Sequence, residues 1–206
     1  MDGVLIDSTA VHTRAWEIYL ERHNLPPNGV GKLMHGLRND QIVRVLFGAD
    51  LPKKEVDAHG AAKERLYREL MAPVFEERLV PGIREFLART GSTPRALASN
   101  AEPENIDFVL DLGRFRGSFE AVVDGHEVTH PKPHPEAYVV AAARIGKRPQ
   151  DCIVFEDSVA GVGAARAAGA KVAGIETTLR PVPGTDISVR NFRDPGLWQW
   201  LHQLNF

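Results

Sequence analysis

Ile153-Val-Phe-Glu-Asp-Ser-Val-Ala-Gly-Val-Gly-Ala-Ala-Arg-Ala-Ala-Gly169 decides the fold. Cys152–Phe155 reads as a short strand. It ends in two carboxylates, Glu156 and Asp157. Ser158 is a residue type that caps helices, and the alanine-rich run that follows stops at Gly169. Lys171–Ile175 is a second apolar run. Upstream the pattern repeats. Arg95–Ser99 predicts a strand, Pro103–Leu112 a helix stopped at Gly113, Ala121–Asp124 a strand, and Pro135–Ile145 a helix stopped at Gly146. Strands alternating with helices at this spacing predict an α/β fold, a parallel sheet with helices on both faces. Ligands of such sheets sit at the carboxyl ends of the strands. Here those ends hold Ser99, Asp124 and Glu156-Asp157.

Residues 9–78 carry no convincing strand pattern. Apolar periodicity predicts helices over 12–22, 39–47 and 53–71. The expected organisation is therefore an α/β core of residues 1–8 and 79–206, with residues 9–78 inserted as an all-helical domain. Trp198 and Trp200 are expected on the packed face of a terminal helix.

Composition narrows the function. The 206 residues carry 25 basic and 27 acidic side chains, a net charge of −2. That balance argues against a nucleic-acid partner, which would usually call for a basic surplus. The longest apolar run, Ala137–Ala143, is far short of the roughly 20 residues that span a bilayer, so no membrane partner is expected. The acidic start, with Asp2 and Asp7, does not resemble a secretory signal. A single cysteine, Cys152, excludes an intramolecular disulfide and a multi-cysteine zinc site. A cytoplasmic enzyme, monomeric or homodimeric, is the expectation.

Four segments carry chemistry. Met1-Asp-Gly-Val-Leu-Ile-Asp-Ser8 opens the chain. Ala96-Leu-Ala-Ser-Asn100 ends a strand in a hydroxyl. His130-Pro-Lys-Pro-His-Pro135 holds a lysine in a stiff proline frame. Ile153–Ser158 ends in the carboxylate pair. Phosphoryl transfer needs a metal and fixed cations to neutralise phosphate charge. Asp157, with Glu156 beside it, offers oxygen ligands to Mg²⁺. Lys132 offers a point charge and Ser99 a hydroxyl donor. Asp2 can act as general acid and then general base. Gly161-Val-Gly163 is not a dinucleotide fingerprint, because Arg166 stands at the third glycine position.

In this order the four segments resemble the haloacid dehalogenase superfamily, in the subgroup of β-phosphoglucomutase and small-metabolite phosphatases. The similarity runs from residue 1 to about 178. It implies a Rossmann-like core with a mobile helical cap over residues 9–78. It also implies Mg²⁺ as cofactor, held by Asp157, Glu156 and the Asp2 backbone, with Asp2, Ser99 and Lys132 catalytic. Asn100 would assist Ser99. Arg38, in the His35–Asn39 loop, and His12 would contact a small phosphorylated metabolite from the cap. In the family, a nucleophilic aspartate stands two residues before the acid/base, which places it immediately before Met1, on a central strand outside these 206 residues. The first methionine is therefore expected to be internal to a longer protein. The expected activity is a sugar-phosphate-like phosphatase working through an aspartyl-phosphate. The alternatives are a β-phosphoglucomutase and, if the chain truly starts at Met1, a non-catalytic phosphate-binding protein.

Overall fold

The computed structural model describes residues 1–27, 29–34 and 39–205. The chain divides into two compact units, Ser8–Val74 and Met1–Asp7 with Phe75–Phe206. The second crossing comes at 74/75 rather than at the expected 78/79. Phe75 is the reason: it is buried edge-on against Phe108 of the larger unit, ring centroids 6.0 Å apart.

The smaller unit is helical: α1 (Thr9–Arg22), α2 (Val30–Met34), α3 (Asn39–Phe47) and α4 (Lys53–Met71). Helices α1 and α4 pack together through Ala15, Trp16, Leu20, Leu66 and Tyr67, all buried. A charged pair lies within this core: Lys63 Nζ is 2.7 Å from Glu64 Oε1, with both residues buried.

The larger unit continues through α5 (Phe75–Arg78), α6 (Ile83–Arg89), β1 (Ala96–Ala98), α7 (Pro103–Leu112) and β2 (Ala121–Val123). It ends with α8 (Glu136–Arg144), β3 (Ile153–Glu156), α9 (Val159–Ala168), β4 (Lys171–Ile175), β5 (Ile187–Val189) and α10 (Pro195–Gln203). All strand pairings are parallel. Alternation along β3 sets the two faces. Val154 packs with Tyr138 of α8 and Val162 and Ala165 of α9. The next residue, Phe155, points the other way, into Phe86 of α6 at 5.1 Å, beside Phe192 and Trp198. Helices thus cover both faces, as the strand–helix alternation predicts.

The sheet is in two pieces, β2-β1 and β3-β4-β5. A cavity of about 690 Å³ lies between them, lined by Ala96–Ala98 on one side and Ile153–Glu156 on the other, with Met1 and Leu5 also on its wall. Ile153, Val154 and Phe155 are in consequence only half-buried, whereas strands inside α/β sheets are normally covered throughout.

The elements read from sequence appear within a few residues of their expected bounds. Helices α2, α5 and α6 and strand β5 have no counterpart among them. In α10 the buried residues are Leu197 and Leu201, and the tryptophans are half-buried at its flank. Trp198 packs on Phe86 at 5.6 Å, takes Arg89 over its ring at 3.7 Å and donates its indole N–H to Phe192 O at 3.1 Å. Among the described residues no helix is long and apolar enough to cross a membrane.

Candidate active site

The carboxyl end of β3 is the electrostatic centre of the larger unit. Glu156 is 5% exposed and its carboxylate accepts five hydrogen bonds. Oε1 takes Lys132 Nζ at 2.5 Å and Tyr138 OH at 2.5 Å. Oε2 takes the backbone N–H groups of Asp157 and Ser158 and the Ser158 hydroxyl. Ser158 Oγ in turn accepts the Gly161 N–H at 3.0 Å, which caps α9. Burial alone would push this carboxyl up, but Lys132 and Tyr138 outweigh it and hold it down at about 2. Gly161 is required here: a Cβ at that position would stand 2.0 Å from Glu156 Cδ.

Lys132 is the other half of the pair. Its side chain is 9% exposed, and its ammonium also donates to Tyr138 OH at 2.8 Å. The tyrosine hydroxyl therefore accepts from Lys132 and donates to Glu156. Burial and the Glu156 charge push the Tyr138 hydroxyl well above its ordinary range, so it remains a donor at all ordinary pH values.

Asp157 has the opposite environment. Thr178 donates its hydroxyl to Oδ2. Burial, then the charge of Glu156, with Asp2 adding to it, push the Asp157 carboxyl up to about 6. It is a carboxylate short of positive charge. Gly3 lies directly against it, with a φ of +69° and space for no side chain, since a Cβ would stand 2.0 Å from Asp157 Oδ2. Residues 1–6 form a tight turn, Leu5 N–H to Met1 O at 2.8 Å and Gly3 N–H to Ile6 O at 2.8 Å. Thr177 ties this turn to the end of β4 by donating to Gly3 O at 2.7 Å.

Ser99 follows β1 and is buried. Its N–H extends the β1–β2 ladder to Val123 O at 3.0 Å, and its Oγ accepts the Ala101 N–H at 3.2 Å, which leaves the hydroxyl proton to donate. Ala98, one residue earlier, packs into the Tyr138–Val154–Val162 cluster. Asn100 is exposed. Asp124 closes an Asx-type turn, accepting from His126 N–H at 2.7 Å and Glu127 N–H at 3.2 Å. His12 belongs to the helical unit, stacked on Tyr67 at 3.7 Å and 2.9 Å from Lys63 Nζ. Arg38 lies outside the described residues.

The charge of Asp2 acts on Asp157 at the end of β3, where Lys132 is buried against Glu156, and Ser99 stands at the end of the parallel strand β1. The model of the haloacid dehalogenase-like hydrolases matches residues 1–169. The chain belongs to this superfamily. Hexitol phosphatase B of Escherichia coli strain K12 is 32% identical over 181 residues, 82% of this chain and 77% of that protein. The fructose-1-phosphate phosphatase YqaB of the same strain is 29% identical over 172 residues, 82% and 89% of the two chains. The crystal structure of β-phosphoglucomutase from Clostridium difficile superposes with a TM-score of 0.83 at 20% identity, covering 99% of this chain and 95% of that one. The protein is thus a haloacid dehalogenase-like hydrolase of the β-phosphoglucomutase-like subgroup, with that superfamily's Rossmann-like core.

Sequence reasoning missed two partners. Tyr138 reads as part of an apolar helix face, although a buried tyrosine hydroxyl needs a partner and Lys132 lies six residues away. Thr178, beyond β4, offers no comparable signal.

Proposed function

We propose that this protein is a phosphatase that hydrolyses a small sugar-phosphate-like metabolite with Mg²⁺ as cofactor, through an aspartyl-phosphate. The observation that carries the reading is the contrast between adjacent carboxylates. Glu156 is saturated by five donors, whereas burial, and then the negative charge of Glu156, push the half-buried Asp157 carboxyl up to about 6. An all-oxygen, charge-deficient donor set fits a hard divalent cation. Asp157 and the Asp2 backbone carbonyl would hold Mg²⁺, which would neutralise charge on the phosphoryl oxygens. Glu156, expected as a third ligand, is better suited to fixing Lys132.

Lys132 and Ser99 hold the transferring phosphoryl group, one as a fixed charge and one as a hydroxyl donor. Asp2 gives a proton to the leaving oxygen and then takes one from the attacking water. Arg38, Asn100 and His12 remain candidates for substrate contact.

The named relatives act on a hexitol phosphate and on fructose 1-phosphate, which supports a phosphorylated six-carbon polyol or ketose. The test is a panel of hexose, hexitol and pentose phosphates assayed for phosphate release, using protein purified from the organism that makes it and weighed intact. Release with Mg²⁺ is expected. A requirement for glucose 1,6-bisphosphate, with no phosphate released, would favour the mutase. Mg²⁺-linked phosphate binding without turnover would favour the non-catalytic reading.

A further inference from the structure

The lysine frame has an outer side that phosphoryl transfer does not use. His130 and His134 flank Lys132 at two residues on either side, and Glu136 opens α8 two residues later. His130 Nδ1 is 3.0 Å from Glu136 Oε2, and His134 Nδ1 is 3.8 Å from the same oxygen. The two imidazoles lie face to face, tilted by 36° with centroids 4.5 Å apart. One ligand atom from each of the three side chains falls within 4.8 Å of the others. Both histidine side chains are at least half exposed, while Lys132 between them is turned inward to Glu156.

We propose that His130, His134 and Glu136 form a site for a divalent transition metal of the zinc class, separate from the carboxylate site for Mg²⁺. Ligands bonded at about 2.0–2.1 Å around a tetrahedral ion stand roughly 3.3 Å apart. The two measured nitrogen–oxygen distances, 3.0 and 3.8 Å, bracket that value, and an ion would take the His134 Nδ1 lone pair that now accepts the Glu136 N–H at 3.3 Å. Two imidazoles and one carboxylate suit Zn²⁺, Co²⁺ or Ni²⁺, and the nitrogen donors disfavour Mg²⁺. The carboxylate is already oriented. Its Oε1 accepts the Thr129 N–H at 2.9 Å and its Oε2 the His130 N–H at 2.9 Å, the kind of outer support that fixes a metal ligand. Pro131, Pro133 and Pro135 alternate with the histidines and lysine, so the loop loses little freedom when an ion closes it. The open fourth position faces water. An ion there would clasp the two ends of the segment that presents Lys132.

The test is titration of the tag-free protein with Co²⁺ and Zn²⁺ in excess Mg²⁺, read by Co²⁺ visible absorption and by calorimetry. One equivalent should bind, with tetrahedral Co²⁺ bands that Zn²⁺ bleaches. His130→Gln and His134→Gln should each weaken binding at least tenfold. His202→Gln, a histidine on α10, should leave it unchanged. Binding that survives both loop substitutions, or that Mg²⁺ displaces at equal concentration, overturns the proposal. So does the absence of tetrahedral bands.

Discussion

Replacing Asp157 with asparagine should make the metal-free protein more stable at neutral pH. The carboxyl sits at about 6 in the folded protein against an ordinary 3.8. At about 1.4 kcal/mol per pH unit, its ionised form costs the fold at most about 3 kcal/mol. Asparagine keeps an oxygen that can accept from Thr178 and removes the charge facing Glu156 and Asp2. The expected gain is about 1–3 kcal/mol at pH 7, or a rise of about 2–4 °C per kcal/mol for a chain this long. The sign follows from the raised value. Above pH 6 both folded and unfolded forms are ionised and the penalty is complete. As pH falls from 6 towards 4 the folded protein takes up the proton first, and the penalty disappears. The gap between variant and wild type should therefore close near pH 4. Glu156 titrates alike in both proteins and cancels from the difference. Urea unfolding followed by tryptophan fluorescence, in chelator at pH 7 and at pH 4, measures this directly. Mg²⁺ should stabilise the wild type and leave Asp157→Asn unmoved. A variant less stable than wild type at pH 7, or a difference that does not change with pH, refutes the reasoning.

Three further outcomes are expected. Lys132→Met removes the cation from a buried carboxylate and should cost about 3–5 kcal/mol by chemical denaturation, part of it recovered by adding Glu156→Gln. Gly161→Ala forces the Glu156 carboxylate away from Lys132 and should cost about 1–3 kcal/mol, with loss of phosphate affinity measured by calorimetry as Lys132 is released. Asp2→Asn should leave the melting temperature nearly unchanged while lowering turnover by about 10²–10⁴-fold in a steady-state phosphatase assay.

The core was legible where periodicity and stop residues agree. Helix α7 runs from a proline in its first turn to the glycine that follows it, and its bounds match the expected ones. Helix α9 is announced by Ser158 and ended by Gly169 in a left-handed conformation, φ +89°. Strand β5 was not legible, because no helix separates it from β4 and the strand–helix alternation that marks the equally short β1 and β2 is missing there. At the site, residue types and order pointed to the charged cluster at the end of β3, but not to how its members are paired. Adjacent Glu156 and Asp157 look equivalent in sequence. Only their surroundings separate them, since a tyrosine six residues beyond Lys132 and a threonine beyond β4 arrive from different elements.

The central claim is that these residues serve Mg²⁺-dependent phosphoryl transfer. The most direct measurement is phosphate release from a hexitol or ketohexose phosphate by protein purified from the organism that makes it, first with saturating Mg²⁺, then in chelator, then with Mg²⁺ restored. The account predicts turnover, loss to background and recovery. An unchanged rate in chelator would contradict it.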